Sequence, residues 1–90
     1  EAVKDIKALV CCNRSRVLEI ADRLLAFCET PATFERILQE MFRQYRLEMC
    51  FEQYVLVGST IRSYLSWLRD SGRLTVSFED ALMYWTRAAT

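Results

Sequence analysis

Apolar side chains recur along this 90-residue chain at two different intervals, and the change from one to the other at Gly72 carries most of the fold information. From about Tyr54 to Ser71 the spacing is helical: Val57, Ile61, Tyr64, Leu65 and Leu68 form an inner face, and Ser59, Arg62, Ser63, Ser66 and Arg69 an outer one. Gly58 weakens the start by about 1 kcal/mol relative to alanine, so Ser59 or Thr60 is also a candidate N-terminus. Ser71-Gly72 ends the helix, because glycine readily takes the left-handed conformation that closes a last turn. Beyond it Leu74, Val76 and Phe78 alternate with Arg73, Thr75 and Ser77. Glu79-Asp80 supplies a turn, and Leu82, Tyr84 and Thr86 then alternate with Met83 and Trp85. Two alternating runs around a short acidic break predict a β-hairpin over 73–87.

Two helices are predicted upstream. Asn13 is a good N-cap for a segment in which Val17, Ile20, Ala21, Leu24 and Cys28 form a stripe that Leu18, Leu25 and Phe27 widen. Pro31 stops it, since proline disfavours helical geometry at Thr30 and lacks a backbone donor. Thr30 or Thr33 caps the next helix, where Phe34, Ile37, Leu38, Met41, Phe42 and Tyr45 follow the i, i+3, i+4, i+7 rule. Between Arg46 and Gln53, Leu47, Met49 and Phe51 alternate with charged or small residues, which predicts a short extended segment pairing with the later hairpin. Glu1 to Cys12 carries Val3, Ile6 and Val10 at helical spacing without a clear cap, and reads as a helical or linker segment before a domain over 13–90. The resulting order, three core helices followed by a two-stranded wing, is a mainly α winged helix-turn-helix.

Composition narrows what such a module can do. At this length a chain builds one core, burying about 60–68% of its unfolded surface. Twelve basic and twelve acidic residues cancel, so the whole chain lacks the electrostatic footprint of a protein held to nucleic acid by many phosphates. Cys11, Cys12, Cys28 and Cys50 show no C-x-x-C spacing, and no histidine is present to complete a mixed zinc site. They read as reduced thiols of a cytoplasmic protein. No apolar run approaches the roughly 20 residues that span a bilayer. The first residue, Glu1, suggests processing or a domain cut from a longer polypeptide.

Catalysis by this chain alone is disfavoured. An acyl-transfer triad ordinarily needs a histidine, two glycines build no phosphate loop, and Glu79-Asp80 reads as a solvated turn rather than a carboxylate dyad. Nucleic-acid binding is the sharper reading of a winged helix. Arg62, Ser63, Ser66 and Arg69 on the third helix, with Arg73 just beyond it, are the residues able to meet phosphates or base edges. Asp70 and the acidic wing tip oppose that docking. Most aromatic residues fall at core spacing, whereas Trp67 and Trp85 are candidates for covering a neighbouring domain or a second subunit.

Several of these residues also form a recognisable succession. Asn13-Arg14 opens a helix, and Thr30-Pro31-Ala32-Thr33-Phe34-Glu35-Arg36-Ile37 forms a loop and helix start. Tyr45, the run from Ser59 to Leu74 and Trp85 follow. Over about residues 13–87 the chain resembles the winged-helix domain that follows the catalytic domain in many metallo-β-lactamase-fold hydrolases. It departs at Asn13, where that family commonly has histidine, and at Val17-Leu18, where an Arg-Glu pair is common. The resemblance implies an accessory domain packed on a zinc-dependent hydrolase domain of the same polypeptide, shaping substrate access or the oligomer. The zinc ligands would lie in that other domain, so no metal or catalytic residue is carried over. The alternative is a free-standing, dimeric DNA-binding regulator. A further alternative is a module that dimerises through its first segment.

Overall fold

A computed structural model describes residues 14–89. The predicted 1–12 segment, the Val3-Ile6-Val10 stripe, the Cys11-Cys12 pair and the Asn13 cap lie outside the described residues. Helix α1 spans Arg14–Phe27, strand β1 Ala32–Thr33, helix α2 Phe34–Gln44 and helix α3 Phe51–Asp70, followed by strands β2 Leu74–Glu79 and β3 Leu82–Arg87. The sheet is antiparallel with order β1-β3-β2. Among the described residues, three helices packed on a small sheet whose last two strands form the wing make a winged helix.

The three predicted helical stripes converge on one core. Ile20, Ala21, Leu24 and Leu25 of α1 meet Ile37, Leu38, Met41 and Phe42 of α2 and Val57, Ile61, Leu65 and Leu68 of α3. Leu74 and Trp85 close the core from the sheet. Val17 is only half-buried and Leu18 is exposed, so the α1 stripe tilts toward the Leu25 side. Thr33 caps α2, its Oγ1 accepting from the Arg36 N–H at 3.3 Å. That choice between the two threonines follows from Ala32–Thr33 being extended: the Thr33 backbone leaves β1 and enters the helix at once.

Both following helix ends close by the same device. The Leu47 N–H donates to the Phe42 carbonyl and the Arg46 N–H to Arg43, with Arg46 at φ 56°. After α3 the Arg73 N–H donates to Leu68 and the Gly72 N–H to Arg69, with Gly72 at φ 82°. These are Schellman closures, in which a left-handed residue lets two free carbonyls find donors. One uses the expected glycine; the other places an arginine where the sequence carries no glycine signal.

The stretch between α2 and α3 departs from expectation. Residues 47–50 form a connector and no strand, and α3 begins at Phe51 rather than between Tyr54 and Thr60. The alternation there has separate causes: Leu47 is buried after the α2 closure, whereas Met49 and Phe51 project outward. The small strand that joins the hairpin is Ala32–Thr33, with Ala32 opposite Trp85; two residues are too few to show a period. Gly58, expected to weaken the start, sits inside α3 against α2, where an added Cβ would lie 3.7 Å from Phe34 Cζ.

The hairpin turn is Asp80–Ala81, one residue later than expected, with Glu79 opposite Leu82. Positive φ at both, 55° and 64°, gives the backbone sense that suits twisted two-residue hairpins. Val76 then faces Trp85, and Phe78 faces Met83. Directly opposite residues share a face of the sheet, so Leu74, Val76, Phe78, Met83 and Trp85 all lie on the helix side. Trp85, expected as a domain-interface residue, is therefore 6% exposed and belongs to the core.

Candidate functional site

The outer face of α3 and the wing beside it bring together the residues singled out for nucleic-acid contact. Arg62, Ser63, Ser66 and Arg69 are all exposed, as is Arg73 beyond the helix end. Their local chemistry differs. The Arg62 guanidinium lies over the Phe34 ring, 3.9 Å from its centroid, a cation–π contact that draws it toward α2. Arg69 Nη1 stands 3.8 Å from Asp70 Oδ1, an exposed pair of little energetic weight. The Ser63 hydroxyl donates back to the Ser59 carbonyl at 3.2 Å and so is engaged in its own helix.

Between α3 and the wing runs a groove of about 450 Å³, lined by Arg62, Ser66 and Arg69 on the helix side. Val76, Phe78, Met83 and Trp85 line its sheet side. Phe78 is 71% exposed although it points to the helix side of the sheet, because β2 and β3 extend past the end of the core. The Trp85 Nε1 donor is shielded from solvent and has no hydrogen-bond partner among the described residues. Neither groove nor orphan donor was legible in the sequence, since both depend on how far the wing stands off α3.

A second surface lies at the other end of α3. Met49, Phe51, Val55 and Leu56 are all exposed, Phe51 to 77%, and Phe51 and Val55, one turn apart on the same helix face, make an apolar shoulder over the first turns. Tyr54 holds this end to α2 by donating to Glu35 Oε2, and that hydrogen bond raises its phenol pKa above the ordinary value. Beside it a shallow pocket of about 220 Å³ is lined by Phe34, Tyr54, Val55, Gly58, Ser59 and Arg62. The signal for this shoulder was in the sequence, as the alternating Met49 and Phe51 read there as a strand. Trp67, the other candidate for a domain contact, is 42% exposed and edge-on to Tyr64, with ring centroids 6.4 Å apart.

Among the described residues no group of three or more histidine, cysteine, aspartate or glutamate side chains is placed to hold a metal ion. Cys28 is wholly buried, which pushes its thiol up to about 11, whereas Cys50 is exposed at the start of α3. No helix among the described residues is long and apolar enough to cross a membrane. Searches against protein families, curated proteins and solved structures return no match for this chain.

Proposed function

We propose that this winged helix is a non-catalytic docking module, the accessory domain of a metallo-β-lactamase-fold hydrolase, which packs on the catalytic domain and shapes substrate access or oligomerisation. The observation that carries the docking reading is the apolar shoulder of α3. Phe51 and Val55 stand exposed one turn apart on the same face of α3, with Met49 and Leu56 exposed close by in sequence, and exposed apolar surface of this kind ordinarily marks a contact. The hydrolase as partner rests on the sequence resemblance.

The face that would meet DNA argues the same way. Of its arginines, Arg62 is drawn onto Phe34 and Arg69 toward Asp70, and the wing ends in Glu79 and Asp80. Over residues 47–89 five acidic side chains face four basic ones, which offers no attraction to a phosphate backbone. The DNA-binding alternative keeps one supporting observation, the exposure of Arg62, Ser66, Arg69 and Arg73 along one helix and its exit.

An antibody raised against this domain tests the reading by the mass of the native polypeptide in source cells. A product several-fold larger than this chain, containing zinc and hydrolysing esters or thioesters, is the expected result. A product of this size that binds duplex DNA with steeply salt-dependent affinity overturns it.

A further inference from the structure

The two edges of the sheet are finished differently. On one side β1 is only two residues long, and next to it the Arg87 N–H of β3 donates to the Cys28 carbonyl at 2.7 Å. On the other side β2 runs six residues in unbroken register with β3 and pairs with nothing else among the described residues. Which of its backbone groups face outward follows from one bond. The Ala88 N–H donates to the Arg73 carbonyl at 3.0 Å, so Arg73 and Ala88 form a bonded pair. Bonded and non-bonded pairs alternate along an antiparallel ladder. Thr75, Ser77 and Glu79 therefore turn their N–H and C=O groups toward β3, and Leu74, Val76 and Phe78 turn theirs away from it. Leu74 is covered, at 1% exposure, whereas Val76 is half-buried and Phe78 is 71% exposed, so the open part of the edge runs from Val76 to Phe78. Edge strands are ordinarily blunted by brevity, proline, a bulge or an inward-pointing charge. Strand β1 is short, but β2 has none of these devices between Val76 and Phe78.

We infer that this edge pairs with β2 of a second copy of the chain, antiparallel and symmetric about Ser77. With Ser77 facing Ser77 of the second copy, Val76 stands opposite that copy's Phe78 and Phe78 opposite its Val76, so the open bonding groups on each side meet one another. The exposed Phe78 ring then lies beside a β-branched side chain on the same face, a favoured cross-strand neighbour. Charge agrees with this placement. No ionisable group stands at the centre to repel its own copy, and Glu79 falls opposite Thr75 of the second copy, diagonal to that copy's Arg73 and within reach of it. Neither Glu79 nor Arg73 has an ion-pair partner among the described residues. Centring the pair on Val76 instead would call on the backbone of Leu74, which is covered.

The inference takes nothing from the hydrolase reading. Its test is sedimentation equilibrium of the 90-residue chain across a range of concentrations, with amide hydrogen exchange followed in parallel by NMR. Reversible monomer–dimer association with Kd on the order of 100 µM is expected, the weak range of a small interface. The Val76 and Phe78 amides should gain exchange protection as the dimer fills, while the amide resonances of Phe51 and Val55 on the apolar shoulder stay where they are. Ser77→Lys sets two ammonium groups face to face and Ser77→Glu two carboxylates, so each variant alone should associate at least about fivefold more weakly. An equimolar mixture of the two should dimerise at least as well as the parent chain. Ser77 is exposed, so both variants keep the fold. A chain that stays monomeric to millimolar concentration, association that maps to Phe51 and Val55, single variants that dimerise as the parent does, or a mixture no tighter than its components would each overturn the inference. A monomeric chain leaves the apolar shoulder untouched, and a native polypeptide of only this size leaves the β2 edge untouched, so the two readings fail separately.

Discussion

Ala81 occupies a backbone conformation that its side chain resists. At φ 64° it is the second central residue of the hairpin turn, where a Cβ meets the neighbouring carbonyl at a cost of about 1–2 kcal/mol. Ala81→Gly should therefore raise the unfolding free energy by about 0.5–1 kcal/mol, the gain being reduced by the greater freedom of glycine in the unfolded chain; urea denaturation measures it. Cys28 makes a second residue-level prediction. Burial raises its thiol from 9.0 to about 11, so between those values the unfolded chain loses a proton that the folded chain keeps. Stability falls as pH rises through that window, by an amount on the order of 2–3 kcal/mol at about 1.4 kcal/mol per pH unit. Cys28→Ala should flatten this part of the pH–stability curve relative to the parent chain, and an unchanged slope would refute the assignment.

At the scale of the elements, legibility followed length. The α2 and α3 stripes place five or more apolar side chains at helical spacing, and those side chains are the ones in the core. The residues that decide where elements begin and end were less legible. Arg46 closes α2 in a left-handed conformation without a glycine to announce it, and Phe51 starts α3 seven residues before Gly58. Gly58 itself gives the element-level prediction. It is interior to α3, and an added Cβ would make only ordinary contacts, 3.7 Å to Phe34 and 3.8 Å to Leu38. Gly58→Ala should stabilise the chain by about 0.5–1 kcal/mol through helix propensity, seen as a rise in Tm. A loss of stability would mean that the α2–α3 approach is tighter than these distances allow.

For the whole molecule the question is which surface meets the partner. The docking reading expects the chain to show no saturable, salt-sensitive affinity for duplex DNA, and Arg62→Ala with Arg69→Ala to change nothing in an anisotropy titration run across salt concentrations. A parent affinity that this double substitution abolishes would restore the DNA alternative. The order of helices and hairpin, the inner faces of the helices and the exposure of the α3 polar row were determined by the sequence alone, because each rests on a local period that burial of one face enforces. The two-residue strand β1, the burial of Trp85, the apolar shoulder at Phe51 and the groove beneath Phe78 were decided only by tertiary structure. Each depends on which side of one element is turned toward another and on how far the wing extends beyond the core, and a single-sequence period carries neither distance nor neighbour.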